Sequence, residues 1–127
     1  MNTLKWKRVY DRAESSDGDR ILVDQLWPRG VRREQAALDG WAKDITPSKS
    51  IRQAYHKGRL NFDQFSRSYQ KELETNPAFP VFVDDLGKRL SERDVTLVFA
   101  GKVAAETHLP VLRSQLEKAG VESEPLP

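Results

Sequence analysis

From Leu4 to Tyr10 the chain alternates: Leu4 and Trp6 fall on one side with Arg8, and Lys5, Lys7 and Val9 on the other. A period of two marks a strand with one wetter face. The polar stretch Asp11 to Asp19 carries Ser15-Ser-Asp-Gly18 as turn punctuation and leads into Arg20 to Leu26, whose more continuous apolar run predicts a second, more buried strand. These nine linking residues are fewer than a usual parallel crossover, so the relative direction of the two strands stays open.

After Gly30 the period changes. Leu38, Trp41, Ala42 and Ile45 recur at helical spacing, which predicts a helix closed by Pro47, although Gly40 weakens it by about 1 kcal/mol relative to Ala. Ser48 is placed to cap a short helix running to Lys57 and stopped by Gly58. Asn61 followed by Gln64 resembles a capping box, and Phe62, Phe65, Tyr69 and Leu73 then give an amphipathic helix to about Thr75. A further helix begins within Asn76-Pro-Ala-Phe-Pro80, its prolines confined to the first turn, with Phe79, Phe82, Val83, Leu86 and Leu90 as the buried stripe. Val95 to Ala100 predicts a strand ending at Gly101, and a last helix is expected from Thr107 as N-cap to Ala119, burying Leu109, Leu112 and Leu116.

This order of elements predicts an α/β domain over residues 1–120, a small sheet of at least three strands covered by about five helices. Residues 121–127, short, acidic and flanked by proline, are expected to form a loosely ordered tail.

The 127-residue length suits one domain with its own core. With no cysteine in the chain, disulfides, thiolate nucleophiles, iron–sulfur clusters and Cys-type zinc sites are excluded. The first residues lack a signal-peptide core, and no run approaches the ~20 apolar residues that span a bilayer. A soluble cytoplasmic protein is therefore expected.

Net charge is +2, unevenly spread. Residues 1–60 hold 13 Lys/Arg against 8 Asp/Glu, residues 61–127 hold 8 against 11, and all three tryptophans lie in the basic half. This asymmetry fits an anionic ligand on the first half, and it fits equally two halves that neutralise each other on folding.

Strand exits gather ligands in α/β sheets, and two exits here carry cations. Trp27-Pro-Arg29-Gly30 follows one strand and Gly101-Lys102 the other. If these strands are parallel neighbours, Arg29, Lys102 and the N–H groups of the last helix converge on an anion site; otherwise the cations are solvated or paired and Gly30 is a turn residue. Asp24, in mid-strand, needs a partner such as Arg20 or Arg52, and it is also placed to act as a general base. Lys43, Ser48, Arg52 and His56 form a second polar series. Ser48, Arg52 and His56 repeat at four-residue spacing and face one ligand, unless Ser48 only caps and the others are solvated. His56 is the better placed histidine for acid–base work, because a cation is disfavoured at His108, near a helix start. Tyr69 belongs to a core stripe from which only its hydroxyl reaches outward.

No metal site is expected, since the two histidines lack ligand spacing, and no GxGxxG, Walker A or GxSxG sequence occurs. No cofactor is implied.

The sequences Asp17-Gly-Asp-Arg-Ile-Leu-Val-Asp-Gln-Leu-Trp-Pro-Arg-Gly30, Trp41-Ala-Lys-Asp-Ile-Thr-Pro-Ser48 and Phe65-Ser-Arg-Ser-Tyr-Gln-Lys-Glu-Leu73 resemble the YeaO-like branch of a bacterial domain family of unknown function. The likeness runs in order from about Val9 to Leu116. It implies a compact α/β domain, usually cytoplasmic, and no established activity. Positions carried over are Arg20, Asp24, Trp27, Arg29, Gly30, Trp41, Lys43, Ser48, Arg52, His56 and Tyr69. Relatives follow the last strand with Lys-Asp and His-Asn; here Lys102 matches, while Val103 and Thr107 stand where the acid and the asparagine would be.

The sequence thus points to a protein that binds a phosphate- or carboxylate-bearing small molecule at the strand exits, with Arg29, Arg52 and Lys102 as anchors and Asp24 or His56 as proton acceptor in any turnover. The alternative is a non-catalytic module for nucleic acid or protein, using the basic half with Trp27 or Trp41. Oligomeric state and partner are not legible.

Overall fold

A computed structural model describes residues 2–127. Four strands, β1 (Leu4–Arg8), β2 (Asp19–Leu22), β3 (Gly40–Trp41) and β4 (Val95–Phe99), form one parallel sheet in the order β1-β4-β2-β3. The helices are α1 (Arg33–Ala36), α2 (Lys49–His56), α3 (Phe62–Thr75), α4 (Ala78–Leu90) and α5 (Leu109–Lys118), with 3-10 turns at Ser15–Asp17, Lys43–Ile45 and Ala104–Glu106. The architecture is the expected single α/β domain.

The open question of strand direction resolves through β4. It inserts between β1 and β2, so the two early strands never pair, although both run parallel to it. All five residues of β4 are buried, as expected of a strand covered on both faces.

The sheet's two faces differ. On one, Leu4, Trp6, Ile21, Val23, Val95, Leu97 and Phe99 pack with Tyr69, Leu73, Phe82, Leu86, Leu109, Leu112 and Leu116, so α3, α4 and α5 cover the main core. On the other, Val9, Leu22 and Val98 pack with Ala36, and Val31 and Leu38 close over them. The alternation of Leu4 and Trp6 with Lys7 and Val9 is the alternation of these faces.

One expected helix is absent. The stripe Leu38, Trp41, Ala42, Ile45 is divided between β3 and a 3-10 turn, because the backbone there bonds to β2 instead of to itself. The Asp39 N–H donates to the Arg20 carbonyl (2.7 Å) and the Ala42 N–H to the Leu22 carbonyl (2.8 Å). Two sheet bonds outcompete a local helix already weakened by Gly40. The second strand also ends sooner than Leu26: after Val23 donates to the Val98 carbonyl (3.0 Å), the chain leaves the sheet.

Capping follows the sequence closely. Asn61 accepts from the Gln64 N–H (2.8 Å) and Gln64 from the Asn61 N–H (2.9 Å), a closed capping box. The last helix starts one residue later than expected, with His108 at the N-cap, while the Thr107 hydroxyl still accepts from the Leu109 N–H (3.1 Å). Residues 121–127 have no regular secondary structure but lie along β1, where the Glu124 N–H donates to the Leu4 carbonyl (2.9 Å) and the Trp6 indole to the Ser123 hydroxyl (3.0 Å).

Candidate functional site

At the sheet's carboxyl edge, β2 and β4 release Asp24 and Ala100 side by side. The Asp24 carboxylate accepts the Ala100 N–H (2.8 Å), an amide that has no strand partner once β4 ends. Its other oxygen lies 3.7 Å from Nε2 of His108, and that nitrogen is 2.6 Å from the Val23 carbonyl. A carbonyl only accepts, so Nε2 carries the proton and Nδ1 is the imidazole's lone-pair nitrogen. Burial pushes the His108 pKa down, against the opposing pull of Asp24 and the Val23 bond. Burial pushes the Asp24 carboxyl up, against His108 and the Ala100 N–H. Both groups are therefore biased towards their neutral forms.

Asp24 takes neither cationic partner proposed from the sequence. Arg20 lies at the opposite end of β2, buried, with its guanidinium on Asp17 (2.7 Å) and on the Ala36 carbonyl (2.9 Å). It fastens the cover over the second face, away from the strand exits.

Tyr69 closes the same region from α3. Its ring meets His108 edge-on with centroids 5.8 Å apart, and its hydroxyl donates to the Ile45 carbonyl (2.7 Å). Beside it, a cavity of about 480 Å³ is lined by Gln25, Lys43, Thr46, Ser48, Tyr69 and Glu72, among others. Three residues singled out by sequence, Lys43, Ser48 and Tyr69, thus share one cavity. Ser48 caps α2 by accepting the Ile51 N–H, while its own N–H donates to Glu72 (3.0 Å).

Arg52 is half-buried one turn further along α2, and its Nε is buried without a hydrogen-bond partner. Ser48, Arg52 and Tyr55 form one stripe of the helix. Ser48 lines the cavity with Gln25, the residue after Asp24, while Tyr55 donates to the Glu106 carbonyl (3.1 Å), two residues before His108. The stripe runs from the cavity beside Gln25 to the 3-10 turn at Ala104–Glu106 that follows β4, and Arg52 lies between its ends. His56, by contrast, is exposed in the last turn of α2.

The other candidates lie further out. Arg29 is exposed, its carbonyl taking the Tyr10 hydroxyl (3.0 Å). Gly30 adopts φ +75°, which accounts for glycine there. Lys102 is exposed in the turn after β4 and lines a cleft of about 170 Å³ with Lys7, Arg8 and Asp11. Arg8 shapes that turn, donating to the carbonyls of Ala100 (3.0 Å) and Gly101 (3.1 Å). Trp27 and Trp41 meet edge to face, centroids 5.7 Å apart, and the Lys43 ammonium lies 4.8 Å from the Trp41 ring centroid.

The chain matches a family described as the "Inactive DUF488-N3 subclade" over residues 3–125. It belongs to that family. "Uncharacterized protein YeaO" of Escherichia coli (strain K12) is 40% identical over 117 residues, covering 89% of this chain and 96% of that protein. "Uncharacterized protein Rv3073c" of Mycobacterium tuberculosis (strain ATCC 25618 / H37Rv) is 38% identical over 109 residues, covering 86% and 89%. No solved structure gives a significant match.

The DUF488-N3 match extends the likeness seen in the sequence to both ends of the described fold. Among the described residues no group of three or more His, Asp or Glu side chains is gathered to hold a metal, and no helix is long and apolar enough to cross a membrane. Sequence reasoning ranked His56 above His108 because a cation is disfavoured at a helix start. The same argument favours a neutral imidazole there, which is the form that burial selects.

Proposed function

We propose that this domain binds a small molecule bearing a carboxylate or phosphate beside α2, on the side of the strand exits. The observation that carries this reading is Arg52: a buried guanidinium nitrogen without a partner, on a stripe that runs from the cavity beside Gln25 to the turn after β4. A buried donor left unpaired costs about 1–3 kcal/mol, a cost that an anionic ligand removes. Guanidinium forks match carboxylate and phosphate geometry, and the Ser48 hydroxyl adds a neutral donor on the same stripe. Exposed Arg29 and Lys102 then serve to attract the anion, whereas Arg52 holds it.

The reading is of binding without turnover. The family description carries the word "inactive". In addition, the Asp24 carboxylate is engaged by the Ala100 N–H and His108, and exposed His56 has no carboxylate within ion-pair distance among the described residues. Thermal unfolding in rising inorganic phosphate or malonate tests it. The wild type is expected to gain stability as ligand passes its dissociation constant, reaching about 2.7 kcal/mol at a hundredfold excess. Arg52→Gln is expected to lose that gain while being no less stable without ligand. Equal stabilisation of both proteins would overturn the reading.

A further inference from the structure

Two tryptophans beside the strand exits stand half in solvent, Trp27 at 37% and Trp41 at 39% exposure. Exposed indoles are usually mobile or half-covered, but these are fixed. The Trp27 N–H donates to the Val31 carbonyl (2.7 Å) and the Trp41 N–H to the Asp24 carbonyl (2.6 Å). Their planes meet at 69°, which makes a rigid aromatic corner.

Both indole donors are spent internally. What the corner still offers a partner is π surface, and π surface next to cations. Lys43 lies against the Trp41 ring, Arg32 follows the carbonyl to which Trp27 is tied, and Arg29 lies within the same turn. Arg29, Arg32, Arg33 and Lys43 are all exposed, and none is within ion-pair distance of an acid among the described residues. From Trp27 to Lys43 the chain carries these four cations against two acids, Glu34 and Asp39, while Asp44, Glu72 and Asp85 line the cavities beside Lys43.

From the pinned Trp27–Trp41 corner and its unpaired cations we infer a binding site for single-stranded nucleic acid. A base stacks on one ring with its edge against the other, and the flanking phosphates meet Lys43, Arg29 and Arg32. Stacking tolerates any base because every base has a π face, so the site reads strand character and not sequence. A duplex keeps its bases stacked on each other and offers the corner only phosphates. A protein partner has less use for this corner, since its indole N–H groups are already engaged and its rim cations call for a polyanion.

The test is a titration of the full chain with a labelled oligothymidylate of about ten nucleotides, followed by anisotropy and by tryptophan emission. Trp6 is buried and bonded to Ser123, so quenching reports on the corner. The expected result is saturable binding with quenched emission, and a log–log salt slope of about −2 to −3 for three or four neutralised phosphates. Duplex of the same length is expected to bind about tenfold more weakly. Trp27→Ala is expected to weaken single-strand binding about tenfold. Independently of that variant's folding, Arg32→Glu/Lys43→Glu is expected to weaken binding and flatten the salt slope with the melting temperature unchanged. Binding that leaves emission unquenched, or that survives the charge reversal, overturns the inference. So does a failure to bind at low salt in a chain whose mass doubles in light scattering and halves again in the double variant, which marks the corner as a protein interface.

Discussion

Nε2 of His108 lies 3.7 Å from the Asp24 carboxylate, yet its hydrogen bond goes to the neighbouring Val23 carbonyl at 2.6 Å. The imidazole is thus held by a neutral acceptor, and the carboxylate is held by the Ala100 N–H. Neither group needs the other to be charged. The contact joins the exits of β2 and β4 without a fully formed ion pair.

The pH dependence of stability follows from this. Burial lowers the His108 pKa below its ordinary 6.5, so the unfolded chain takes up the proton more readily. The stability that His108 contributes is complete above 6.5 and is lost as pH falls below it. Asp24 has the opposite sign: its raised pKa means that its penalty is absent below 3.8 and grows as pH rises through the folded value. Urea midpoints between about pH 7.5 and about pH 5 are expected to fall more steeply in the wild type than in His108→Gln. A wild type that instead gains stability over the variant on acidification would mean that Asp24 holds an imidazolium.

Asp17 presents the contrasting case of a real buried ion pair. Burial opposes its charge, but the Glu14 N–H, Lys7 and Arg20 together hold its carboxyl below the ordinary 3.8. Its stabilising contribution is present above 3.8 and is lost as pH falls through the folded value. Asp17→Ala strands the Arg20 guanidinium in the interior and is expected to cost about 3–5 kcal/mol by denaturant unfolding. Asp17→Ala/Arg20→Met is expected to cost less than the single change. A double variant worse than the single would show that the pair contributes more than mutual neutralisation.

The strands and the longer helices were legible because their signals are local. Leu4 and Trp6 against Lys7 and Val9 needed only the period of two, and Asn61 with Gln64 only a fixed offset of three. β3 was not legible, since Trp41 and Ile45 satisfy a helical period and only the bonds from Asp39 and Ala42 to β2 decide otherwise. Of the candidate site, the sequence indicated some residues that come together but not their pairing. Ser48, Lys43 and Tyr69 do converge, whereas Asp24 meets His108, a residue far along the chain that no spacing rule connects to it. Arg20 misled because a cation four residues before Asp24 suggests a partner, but four residues of strand span about 13 Å, and Asp17 and the Ala36 carbonyl take Arg20 at the start of β2.

Gly18 and Gly58 both adopt left-handed backbone, φ +66° and +73°, but in different surroundings. A Cβ on Gly18 would stand 1.9 Å from the Asp94 carbonyl oxygen, which accepts the Asp19 N–H as β2 begins. A Cβ on Gly58 would meet open space. Gly58→Ala is expected to cost only the conformational strain, about 1–2 kcal/mol. Gly18→Ala adds displacement of the backbone that sets β2 against β4 and is expected to exceed that clearly, by thermal or urea unfolding. Equal costs would show that the 93–95 turn yields freely.

The last seven residues offer a test of edge protection. β1 is an outer strand, and an uncovered parallel edge exposes unpaired carbonyls and invites association. The Glu124 N–H covers the Leu4 carbonyl, Ser123 receives the Trp6 indole and Arg113, and Val121 and Leu126 pack against the core. Truncation after Gly120 therefore removes apolar cover and leaves the buried end of Trp6 without its acceptor. The expected loss is about 2 kcal/mol or more, from partial burial of two aliphatic side chains and one hydrogen bond. Light scattering of the truncated chain is expected to rise with concentration as bare β1 edges meet. Unchanged stability and mass would show that the sheet needs no cover on this side and that the segment merely rests there.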